Sequence, residues 1–182
     1  GRIIGYTQDG DFVRQFGEKV TDACLAAANC PPLALNEPVG LITNEAGDVY
    51  IADFWNKRVL VLTKDLQVKT TIAVESWGSR NVTDRPYMAL LPDGRLLVTD
   101  PNPCPTAPVH APEGTDVPCP ATKGRILVFG TDGAQVAAYE LPPLEGQTVA
   151  RTVGIATDGT SVLVADAAGS VVRKIPLADI VK

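Results

Sequence analysis

Short apolar runs separated by brief polar breaks fill most of the chain, as in Pro38–Val68, "PVGLITNEAGDVYIADFWNKRVLVLTKDLQV". The runs are only four to six residues long and rich in Val, Ile, Leu and Tyr. Gly, Asp, Asn and Pro bound them, which is the signature of strands joined by tight turns. The pattern predicts thirteen strands, near 2–6, 11–16, 39–43, 49–53, 58–63, 67–73, 87–91, 95–99, 125–129, 134–140, 153–157, 161–165 and 170–175. Only "TDACLAAAN" at 21–29 has room for a short helical turn. The fold class is all-β.

The runs repeat. "PVGLITNEAGDVYIAD" from Pro38, "PYMALLPDGRLLVTD" from Pro86 and "TVGIATDGTSVLVAD" from Thr152 align, with Asp53, Asp100 and Asp166 in register. These aspartates are 47 and 66 positions apart, and the second unit carries an interruption at 101–122 before resuming as "KGRILVFGTDGAQVAAYEL". Without that insertion the period is about 44 residues, the size of one propeller blade. Each unit reads as four strands, a to d. Gly-containing turns join a to b, b ends in Asp, and "TKDLQ", "TDGAQ" or "TQDGD" joins c to d. Asp-Gly between apolar runs is a strong hairpin signal because Gly accepts positive φ.

The sequence "PVGLITNEAGDVYIADFWNKRVLVL" resembles the NHL repeat, with "AD", Asn56 and "RV" at their expected spacing. The other units match less fully, lacking the Asn. The resemblance implies four-stranded antiparallel blades in a ring that is typically six-bladed. The units are blade ends at 1–17, a blade at 38–74, a blade at 86–141 with insertion 101–122, and a blade at 152–182. Thirteen strands make about three to three and a half blades, so an incomplete ring is expected, its missing blades supplied by further sequence of the same polypeptide or by a second chain.

An aspartate recurring at three strand ends reads as structural, accepting hydrogen bonds from turn amides and facing Arg58 at the start of strand c. Asn56 suits a left-handed turn position. Propellers place b–c and d–a connections on one face, here called the top. All irregular segments fall there: 18–37, 54–56, 75–85, 101–122 and 142–151. Functional loops on a rigid scaffold are the usual arrangement, so Phe54, Trp55, Trp77, Arg85 and Arg151 are candidate binding residues, with Tyr87 a further aromatic. For Phe54, Trp55, Trp77 and Tyr87 the competing reading is packing between blades.

The four cysteines lie in the same loops. Four cysteines allow three pairings. The local ones, Cys24–Cys30 and Cys104–Cys119, would close loops otherwise too long and Pro-rich to hold one shape. Disulfides imply an oxidising compartment, so the expected location is extracellular, cell-surface or periplasmic. His110, the single histidine, sits between Cys104 and Cys119 at a spacing that fits no common zinc pattern and reads as a solvated loop residue. Asn81-Val82-Thr83 is an N-glycosylation sequon.

Composition mainly excludes. A net charge of -5 and the lack of any basic cluster argue against a nucleic-acid partner. No apolar run approaches the ~20 residues of a membrane span. No nucleophile–base set or phosphate-cradling Gly loop can be assembled. No cofactor or metal is assigned. The reading is a secreted or cell-surface propeller that binds a protein or other ligand, or takes part in assembly, through its top loops. The alternative is a metal-dependent lactonase- or esterase-like hydrolase completed by other blades, in which Asn36, Glu37 and Asp84 would be hard-cation ligands.

Overall fold

The computed structural model describes residues 1–27, 29–79, 81, 83–104, 119 and 123–182. Its strands are β1 (Ile3–Tyr6), β2 (Phe12–Phe16), β3 (Pro38–Thr43), β4 (Val49–Asp53), β5 (Arg58–Leu62), β6 (Val68–Ala73), β7 (Met88–Leu90), β8 (Leu96–Asp100), β9 (Arg125–Phe129), β10 (Gln135–Glu140), β11 (Thr152–Thr157), β12 (Ser161–Asp166) and β13 (Val171–Pro176). Two one-turn helices accompany them, α1 (Asp22–Ala26) and α2 (Leu177–Ile180). Every sheet is a meander in which each strand pairs antiparallel with its sequence neighbours: β1-β2, β3-β4-β5-β6, β7-β8-β9-β10 and β11-β12-β13. The innermost strands sit side by side, β3 against β7 and β7 against β11. This is an incomplete β-propeller: two full blades, flanked by a two-stranded and a three-stranded sheet.

Strand periodicity explains why the apolar runs are continuous rather than alternating. Successive side chains point to opposite faces of a sheet, and a blade inside the arc has a neighbour on each face. In β5, Val59 and Val61 face the next blade while Leu60 and Leu62 face the preceding sheet. In β9, Leu127 and Phe129 turn back toward the blade of β3–β6, and Ile126 and Val128 forward toward that of β11–β13. Three cores result, each lying between two sheets. The smallest joins Ile3 and Phe16 to Leu35, Ile51, Leu60 and Leu62.

The flanking sheets show the converse. Tyr6 (60% exposed), Phe12 (61%) and Val172 (69%) lie open, with Ile4, Val13, Leu163 and Val171 also exposed. Among the described residues, no blade covers their outer faces.

After β13 the chain does not continue as a fourth strand. Leu177 donates its amide to Thr160 O, and α2 folds back so that Ile180 is buried against the core shared with β10 and β12. The a–b and c–d hairpin turns follow the expected Gly chemistry with one exception. In the c–d hairpin "TKDLQ" it is Leu66 that takes φ 59°, where the equivalent hairpins have Gly133 and Gly10.

Candidate functional site

The register places each strand-b aspartate at the top of its blade. Asp53 pairs with Pro38 on β3 and Arg58 on β5. Asp100 pairs with Arg125 on β9, and Asp166 with Thr152 on β11. All three are essentially inaccessible, so each must find partners.

Asp53 Oδ1 accepts the Asn36 amide at 2.7 Å, and Oδ2 accepts Arg58 Nε at 2.7 Å and Asn56 Nδ2 at 2.8 Å. Arg58 also donates to Pro32 O and Ala34 O, and Asn56 to Ala34 O. Asp100 accepts Ser76 Oγ at 2.7 Å and Arg125 Nη2 at 2.6 Å. Asp166 accepts the Arg151 and Gly169 amides and meets Arg173 Nη1 at 3.4 Å, and Arg173 also donates to Pro142 O. One device recurs: a buried carboxylate and an arginine tie strands b and c to the d–a loop.

Burial pushes the Asp53 and Asp100 carboxyls above the ordinary range, and their hydrogen bonds and arginines only partly offset it. These groups hold the blade together, as the recurrence of an aspartate at the end of strand b implied.

Asn56 acts through its side chain rather than as the left-handed residue. Phe54–Asn56 forms a single 3₁₀ turn, and Lys57 takes φ 52°. The side-chain amide is drawn to Asp53 and Ala34 O, which holds Asn56 in the turn and moves the positive φ one residue on.

Two candidate contact residues are corrected by their burial. Trp77 is 0% exposed and Phe54 2%. Their rings meet edge-to-face at 5.7 Å, and Trp77 Nε1 donates to Thr99 O at 3.2 Å. Both belong to the core between the two full blades. The chain folds inward here because apolar area and an indole N–H are both satisfied by the neighbouring blade. Trp55 is half-buried beside the same core, and Tyr87 is 46% exposed.

What remains on the top face is mainly polar. Glu37, at φ 55° just before β3, forms an ion pair with Arg85, just before β7. Asp84 accepts Ser79 Oγ at 2.7 Å and Asn102 Nδ2 at 2.9 Å, and faces Arg151, just before β11, at 3.8 Å. These pairs form a charged belt across the entrances of three inner strands. Its signal in the sequence is an acid before one strand a and an arginine before the next. A cavity of about 490 Å³ opens beside it, lined by Lys19, Thr21, Leu25, Asn36, Glu37 and Trp55.

The three carboxylate and amide residues named above as hard-cation ligands do not form a cluster of their own. Glu37 and Asp84 already face arginines, and no three His, Cys, Asp or Glu converge among the described residues. His110 lies outside the described residues. Cys24 is bonded to Cys30, and Cys104 to Cys119. Asn81 is exposed. No described helix is long and apolar enough to cross a membrane.

A family model for the NHL repeat matches residues 35–62. No curated protein matches the chain significantly. Among solved structures, the chain is similar to one described as a streptogramin B lyase structure, with a TM-score of 0.52 and 15% identity. That likeness covers 96% of this chain and 47% of the other, so this chain spans about half the length of that structure. At this identity the likeness concerns the fold alone. The chain is therefore an incomplete β-propeller of antiparallel blades, and the model for the NHL repeat matches the first three strands of its β3–β6 blade.

Proposed function

We propose that this chain is an extracytoplasmic binding and assembly module that engages a protein partner through its top face, as part of a larger propeller. The charged belt of Glu37, Arg85, Asp84 and Arg151 carries the reading. It draws together residues from three successive blade entrances, next to the half-buried Trp55 and an open cavity. Arg and Trp are over-represented where protein surfaces bind one another, and the partly exposed Glu37–Arg85 pair adds little to stability. The opposite face offers short hairpins instead. The two disulfides fasten top loops, which agrees with an oxidising compartment.

The test is retention of proteins from an extracellular or periplasmic extract by the immobilised chain. The variant Arg85→Glu/Arg151→Glu is expected to lose a partner that the unaltered chain and the bottom-face control Glu45→Lys both retain. Equal retention by all three would overturn the reading.

A further inference from the structure

The loop 75–87, which leads from β6 to β7, carries one feature that the binding reading leaves unused. Asn81 and Thr83 are both exposed, and they stand in the order Asn-x-Thr with Val82 between them. The Asn81 side chain is hydrogen-bonded to Thr83. Its Oδ1 accepts the Thr83 amide at 3.0 Å and Thr83 Oγ1 at 2.9 Å. The backbone is anchored on both sides: Asn81 N donates to Ser79 Oγ at 3.2 Å, and Asn81 O accepts the Asp84 amide at 3.0 Å. Ser79 and Asp84 are themselves buried and bonded to each other. A firm base therefore presents an exposed amide. The hydroxyl two positions on, which distinguishes the acceptor motif from a bare asparagine, already rests on that amide. Both of these hydrogen bonds are accepted by Oδ1, so Nδ2 donates to neither.

We infer that Asn81 is an N-glycosylation site, with a polyprenyl-pyrophosphate-linked glycan as the sugar donor. Asn81 Nδ2 forms a bond to the anomeric carbon of the first sugar as that carbon's bond to the pyrophosphate oxygen breaks. The amide gives up one proton, and the lipid pyrophosphate leaves with the bonding electrons. No oxidant or reductant is involved. The compartment this requires is the one in which Cys24–Cys30 and Cys104–Cys119 would form. An attached glycan is bulky, hydrophilic and confined to the surface. Position 81 offers that setting, whereas Asn36, at 8% exposed, does not.

The experiment is secretion of the full chain from a eukaryotic cell, followed by intact-mass measurement and peptide mapping. The expected result is a glycan-sized mass increase that peptide N-glycosidase removes, deamidating Asn81 and incorporating heavy oxygen from labelled water. Asn81→Gln and Thr83→Ala should each abolish the increase, and Thr83→Ser should restore the modification because it returns the hydroxyl. An unmodified Asn81 in secreted wild-type chain whose disulfides have formed would overturn the inference. So would modification that survives Thr83→Ala. Neither result depends on whether the top face binds a partner.

Discussion

Replacing Trp77 by alanine separates a core residue from a contact residue. Its side chain is wholly buried between the two full blades, against Phe54 and within reach of Met88, Val98 and Phe129 of the same cluster. Large-to-small changes at such aromatic positions cost about 3–5 kcal/mol, combining lost transfer energy with the cavity left behind. Two further losses belong to this site. The edge-to-face pair with Phe54 contributes about 0.5–1.5 kcal/mol, and Thr99 O loses the indole donor, at about 1 kcal/mol. These overlap with the cavity cost, so Trp77→Ala is expected to destabilise by roughly 4–5 kcal/mol rather than by their full sum. For a domain of this size that is a fall in Tm of about 8–20 °C.

Urea unfolding followed by far-UV circular dichroism measures it. A fluorescence signal would be compromised, because Trp55 is the only other tryptophan. Trp77→Phe, which keeps an aromatic ring but loses the N–H donor, should recover much of the loss. A Phe54→Ala/Trp77→Ala cycle should show a coupling near 1 kcal/mol. A loss below 1 kcal/mol for Trp77→Ala would refute the placement of this side chain between the blades.

Asp53→Ala should cost about 3 kcal/mol in urea unfolding, since it leaves Arg58 and the Asn36 amide without their buried acceptor. Lys123→Ala, which breaks only the exposed pair with Glu140, should cost under 1 kcal/mol. The raised Asp53 and Asp100 carboxyls fix the sign of a pH effect. The stability they contribute is fully present below the ordinary aspartate value near 3.8 and is lost as pH rises through their higher native values. Urea midpoints for Asp53→Asn should therefore be flatter across that window than those of the unaltered chain, and parallel curves would contradict it. Removing the Cys24–Cys30 bond by paired serine substitution should lower stability by about 2 kcal/mol, and removing Cys104–Cys119 by about 3 kcal/mol. These figures follow from loop closure over sequence separations of 6 and 15. Denaturant melts of the two double variants check both the order and the size.

The sequence alone determined the strands and their grouping, because both rest on local chemistry. Short continuous apolar runs, turn glycines such as Gly47, Gly94 and Gly159, and an aspartate closing each strand b are written within a few residues of where they act. The pairing of Asp53 with Arg58 was legible for the same reason, since antiparallel register over a short connection puts the two opposite each other. The role of the aromatics was not legible. Trp77 and Trp55 both lie in top-face connections, yet one is sealed in the core and the other lines a cavity. Which face of the blade each indole meets depends on a neighbour tens of residues away.

The cross-blade belt belongs to the same class. Glu37 and Arg85 are 48 positions apart, and only the side-by-side arrangement of β3 and β7 makes them partners. The short α2 was missed because "LADI" carries no helical period. It forms because Leu177 and Ile180 find apolar surface beside β10 and β12, and one helical turn has too little intrinsic stability to form without it. Local spacing specifies hydrogen-bonded neighbours along the chain. Contacts between blades depend on how sheets stack, and that is decided by the tertiary fold.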